Sequence, residues 1–238
     1  MMRTNLSILL FIFCGTLLSR AQQNVLIFSK TTEFRHESIP KGVATVSEIL
    51  KAEGIGVQHT EDVLYFCKDS LANFDALIFL STTGDLFDTE QKKAIQQFIN
   101  SGKGFVGIHA ASDTEHHWPW YGQLVGGYFA SHPAVQKAKI DVLKKDHPST
   151  EGLQSVWWHK DEWYDFKEVQ PGLNILMTVD ESSYKGGKMG QFHPVAWFRE
   201  FDGGRTFYTA LGHTNESFDS KEFRKHLLGG VKYVLQLH

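Results

Sequence analysis

Short apolar runs alternating with helix-period segments predict an α/β fold, a mostly parallel sheet built from β-α-β units with helices on both faces. Two observations carry that prediction. Asn24-Val25-Leu26-Ile27-Phe28, Ala76-Leu77-Ile78-Phe79-Leu80 and Gly104-Phe105-Val106-Gly107-Ile108 are brief apolar runs of the kind that form buried strands. Between them lie segments with apolar residues at helical spacing, each closed by a glycine.

In chain order, Ser38 caps and Pro40 opens a helix whose inner face is Val43, Val46, Ile49 and Leu50, and Gly54 stops it. A strand over 56–59 precedes Ala76–Leu80. A second helix spans Thr89–Asn100, capped by Asp88 or Thr89, with Ile95, Phe98 and Ile99 inside and Gly102 past its end. Beyond His109 the rhythm changes, and Trp118, Trp120, Tyr121, Trp157, Trp158, Trp163 and Tyr164 crowd an additional region of loops and short strands. Residues 135–142 alternate as a half-exposed strand, and Asp146-His147-Pro148 is a turn. Strands follow over 173–178, 195–198 and 206–211, the last two joined by a hairpin at Asp202-Gly203-Gly204. A helix over 221–235 turns Phe223, Leu227, Leu228, Val231 and Val234 inward.

Residues 1–21 read as a secretory signal peptide: Arg3, an apolar run from Leu6 to Leu18, and a small-x-small site at Ser19-Arg20-Ala21. That run is shorter than the roughly 20 residues of a membrane span, so no membrane insertion is expected. Cleavage near Ala21 would leave 22–238 as one domain, periplasmic or secreted. Losing Arg3 and Arg20 would leave 22 basic against 27 acidic residues, a balance that argues against nucleic acid as a partner. Cys67 would then be the one cysteine, unable to form an internal disulfide, and it reads as core filler.

Open parallel sheets often present a nucleophile in a G-x-S-x-G or G-x-C-x-G turn where a strand meets a helix. Here that frame is Gly107-Ile108-His109-Ala110-Ala111, so imidazole replaces hydroxyl or thiol. Ligands of such sheets bind beyond the carboxyl ends of the strands. Three histidines follow different strand ends: His36, His109 and His213. They could form a divalent metal site, zinc foremost, with Glu162 or Asp113 as oxygen ligand or base. They could equally bind sugar hydroxyls or shuttle protons without an ion. Asp161 and Glu162, flanked by aromatics, suit a carbohydrate, but neighbours in a strand point opposite ways, so only one should face the cleft. Arg199 and Arg205 could line the cleft or hold carboxylates.

Phe34-Arg35-His36, Gly107-Ile108-His109-Ala110-Ala111 with Asp113, 118–121, Ser131-His132-Pro133, Asp161-Glu162-Trp163-Tyr164, His193-Pro194-Val195-Ala196-Trp197 and Gly204-Arg205 through Gly212-His213 together resemble the ThuA-like family. The resemblance covers most of the chain. It implies a flavodoxin-like three-layer sandwich related to class I glutamine amidotransferases without their cysteine, and a role in carbohydrate use beside oxidoreductases that make 3-keto sugars. The resulting expectation is an enzyme acting on an oxidised sugar, with a non-catalytic carbohydrate-binding module as the alternative. His109, Glu162 and Asp113 are the catalytic candidates, His36, His109 and His213 the metal candidates, and Trp118, Tyr121, His132 and Arg205 the substrate-facing ones. A sugar or glycoside is the expected partner and no nucleotide is expected. The aromatic region could instead be a homodimer surface.

Overall fold

The protein is described here by a computed structural model covering residues 22–237. The expected signal peptide lies outside the described residues. The first half runs β1 (Asn24–Phe28), α1 (Ile39–Ala52), β2 (Gly56–Thr60), α2 (Lys68–Leu71), β3 (Ala76–Leu80), α3 (Thr89–Asn100) and β4 (Gly104–Ile108). A tight 3-10 turn, His109–Asp113, leads into α4 (Pro119–Val125) and β5 (Tyr128–Ser131). The second half holds β6 (Gln136–Val142), β7 (Val156–Asp161), β8 (Asp165–Lys167), β9 (Asn174–Asp180), β10 (Pro194–Phe201), β11 (Gly204–Thr209) and α5 (Lys221–Val234).

A nine-stranded sheet has the order β2-β1-β3-β4-β11-β10-β9-β6-β7, and β5 pairs with β8 apart from it. From β2 to β11 every pairing is parallel. From β11 to β7 every pairing is antiparallel. The expected parallel sheet is therefore extended by an antiparallel half, because β10 and β11 join through a two-residue hairpin that reverses the chain. Asp202 and Gly203 both take positive φ there, 49° and 87°, as a primed hairpin turn requires. Within the nine-stranded sheet, β6 and β10 run against the other seven strands. The carboxyl end of β7 consequently reaches the same edge as those of β1, β3, β4 and β11.

Alternation along β4 places helices on opposite faces. A side chain added at Gly104 would meet Val234 of α5, whereas the next residue, Phe105, packs edge-on against Tyr121 of α4. β1, β3 and β4 are buried along almost their whole length, and their side chains form the core with Phe66, Phe207, Phe223 and Leu227. At α3, Asp88 and Gln91 make a reciprocal capping box. Ser38 sits at the N-cap of α1 but does not cap it; its hydroxyl donates to the Gly212 carbonyl at 2.9 Å.

Two further expectations change. Cys67 is exposed rather than core, because it precedes α2 at the surface and its thiol meets the Ser70 hydroxyl at 3.3 Å. The aromatic region is mostly interior: Trp118, Tyr121, Trp157, Trp163 and Tyr164 are buried, while Trp158 stands out from β7.

Candidate active site

The site begins with strain at the end of β4. His109 is fully buried with φ of 51°, a left-handed conformation that costs a non-glycine residue about 1–3 kcal/mol. Close packing enforces the turn: a side chain at Gly107 would come within 2.9 Å of the Tyr208 ring and 3.3 Å of the Ala111 methyl. Buried carbonyls released by the bend are taken up by tyrosines. Tyr208 Oη donates to the His109 carbonyl at 2.8 Å and Tyr121 Oη to the Ala111 carbonyl at 2.7 Å.

His109 Nδ1 lies 2.7 Å from the Ala210 carbonyl, an acceptor only, so Nδ1 carries the proton and Nε2 keeps its lone pair. Burial pushes the His109 pKa down to about 4, which keeps the ring neutral at pH 7. Around that bare nitrogen stand His36 Nε2 at 3.1 Å, His213 Nδ1 at 3.2 Å and Glu162 Oε2 at 3.7 Å. Burial, then the neighbouring His109 and His213, push His36 down to about 2. At His213 burial also opposes charge, but the Glu162 carboxylate at 3.0 Å, by hydrogen bond and by charge, raises its pKa overall.

One ligand atom from each of His36, His109, Glu162 and His213 lies within 4.8 Å of every other. A tetrahedral zinc ion with bonds of about 2.0–2.1 Å to nitrogen keeps its ligand atoms about 3.3 Å apart, close to the nitrogen separations here. The Nδ1–H of His109, fixed by the Ala210 carbonyl, is the outer contact that orients ligating histidines. The residues fit a divalent ion.

Asp161 and Glu162 divide as strand geometry requires. Asp161 is wholly buried and accepts from the Gly212 and His213 amides at 2.8 and 3.0 Å and from the Ser217 hydroxyl at 2.8 Å. Burial alone would raise its pKa, but His159, His109 and the Gly212 amide hold it below the usual carboxylate range. Glu162 turns the other way, toward the imidazoles, and its Oε1 lies 2.9 Å from His132 Nδ1.

Other expected site residues fall elsewhere. Asp113 bonds His116 at 2.8 Å and is not among the four converging ligands, because the 3-10 turn rotates it away. Tyr121 supports the elbow from within the core and faces no cleft. Trp118 is buried, stacked on Trp120 and Tyr121. Arg205 pairs in register with Gly104 at the amino end of the parallel strands, the edge opposite the histidines, and lies over the Tyr233 ring. His132 does reach the site. Tyr164, read in the sequence only as one of the aromatics around Asp161 and Glu162, packs its ring 4.3 Å from that of His109 and brings its hydroxyl 3.4 Å from His36 Nε2. Its place directly after Asp161-Glu162-Trp163 was the available signal.

A model of the ThuA family, described by trehalose utilisation, matches residues 24–234. The chain belongs to the ThuA family. Among solved structures, this ThuA chain is similar to a protein of Bacteroides uniformis assigned as ThuA-like, with 21% identity over 89% of this chain and 91% of that one and a TM-score of 0.76. A second, from Parabacteroides merdae, shares 19% identity over 90% of each chain, with a TM-score of 0.75. A cytoplasmic protein of Salmonella typhimurium matches at 11% identity, covering 89% of this chain and 99% of that one, with a TM-score of 0.66. At such identities the likeness is one of fold. A comparison with curated proteins finds no match.

Proposed function

We propose that this ThuA protein is an exported enzyme of carbohydrate use that holds a divalent cation, zinc foremost, on His36, His109, His213 and Glu162 and acts on an oxidised sugar. The observation that carries the reading is the bare Nε2 of His109, buried among three further ligand atoms contributed by separate parts of the chain. Neutral imidazoles with a carboxylate are a donor set suited to zinc. Such an ion supplies Lewis acidity, polarising a carbonyl oxygen placed against it. The chain's own part is to orient the substrate: Phe34, 64% exposed, stands edge-on to His36 at 4.8 Å and offers an apolar ring to a sugar face.

Zinc-loaded protein is expected to convert a keto-glycoside and to lose that turnover on chelation, which transformed-product chromatography detects. Sugar-induced thermal shifts with no product from any keto-sugar would instead make the cleft a binding module.

A further inference from the structure

We propose that His132 is the catalytic base of this site, that Glu162 orients it, and that the substrate class is a carbonyl compound bearing an acidic neighbouring C–H. The inference rests on the functional reading above for its carbonyl-polarising half. His132 follows β5 and is not among the four converging ligands. Its Nδ1 lies 2.9 Å from Glu162 Oε1 and 2.9 Å from the Pro133 carbonyl. Both oxygens only accept, so Nδ1 must carry a proton and the neutral ring holds its lone pair on Nε2. Nε2 has no hydrogen-bond partner among the described residues, and the side chain is 42% exposed.

A carboxylate fixing one imidazole nitrogen so that the other can take a proton is the logic of the acid-histidine pair in hydrolases. Glu162 is committed on both sides, Oε2 to the histidine cluster and Oε1 to His132. It is therefore the positioning residue and His132 the group free to react. In the step, His132 Nε2 takes the proton from the carbon beside the carbonyl. The C–H electron pair becomes the new C=C bond and the carbonyl π pair moves to oxygen, giving an enolate, which is an enediolate where that carbon bears a hydroxyl. Returning the proton to the same carbon restores the substrate; in D2O it returns a deuteron.

The test is solvent exchange into methyl 3-keto-α-D-glucopyranoside in D2O, followed by proton NMR, with zinc content measured in parallel. His132→Ala is expected to bind zinc as wild type does, to lose exchange by about 100-fold or more, and to regain part of it when imidazole is added to the buffer. A merely structural role would not be rescued in this way. His132→Asn, which keeps a donor to Glu162 but no base, should be equally slow and guards against misfolding of the alanine variant. Zinc-loaded His132→Ala exchanging at the wild-type rate overturns the assignment, as does loss without rescue in both variants. Wild type that binds zinc but exchanges no faster than buffer overturns it too. Wild type that takes up no zinc sinks the ion reading alone, and the exchange comparison still decides His132.

Discussion

His109 Nε2 and His36 Nε2 lie 3.1 Å apart although 73 residues separate them in the chain, and both rings are buried. His36 Nδ1 has no hydrogen-bond partner among the described residues, and an unsatisfied buried polar group costs about 1–3 kcal/mol. His36 Nε2 can donate to the bare His109 Nε2, but a buried imidazole left with Nδ1 unpaired still weakens a fold unless a bound ligand compensates. His36→Leu is therefore expected to raise the melting temperature of chelated protein while abolishing the further rise that zinc gives wild type. Calorimetric scans with and without zinc check both halves; a lower melting temperature for the chelated variant contradicts the first.

Asp161 ties the His213 loop to the end of β7 through two backbone amides and Ser217. Asp161→Asn places an amide group where an acceptor is needed and leaves a buried donor unpaired. A loss of about 2–4 kcal/mol in urea unfolding is expected, together with weaker zinc binding because His213 is displaced. Unchanged stability would mean that this carboxylate does not position the loop.

Acid should destabilise the protein through histidines outside the site as well. His226 is wholly buried on α5, donates from Nδ1 to the Ser149 carbonyl at 3.0 Å, and has its pKa pushed down to about 4 by burial. A folded-state pKa below the unfolded value of 6.5 carries no penalty above pH 6.5. Stability is lost as pH falls from there to about 4, where the penalty levels off at about 3 kcal/mol. His226→Asn keeps a donor near Nδ1 and removes the titration, so its stability should fall less steeply between pH 6.5 and 4. Parallel slopes for variant and wild type would contradict this.

The first half of the fold was legible because β1, β3 and β4 are buried on both faces and therefore read as unbroken apolar runs. β7 was not, since its buried positions, Trp157, His159 and Asp161, include two polar residues that answer to loop and helix contacts rather than to a hydrophobic pattern. The same contrast governs the site. His36, His109 and His213 were legible because strand ends define one edge of the sheet. That rule gives the edge but neither the rotation of a side chain nor the end of a strand at which it lies. Asp113 turns to His116, Tyr121 turns into the core, and Arg205 sits at the opposite edge. Tyr208, which holds the elbow, looks in sequence like any strand residue.

The central claim, that four side chains hold one divalent ion, is tested most directly by elemental analysis of wild type and His109→Asn after equal exposure to zinc and removal of the excess. Asparagine tolerates the left-handed backbone and can still donate to the Ala210 carbonyl, but it lacks the bare Nε2. The account predicts about one zinc per chain in wild type, as one cluster of converging ligands binds, and little or none in the variant. Wild type without zinc, or equal zinc in both proteins, would contradict it.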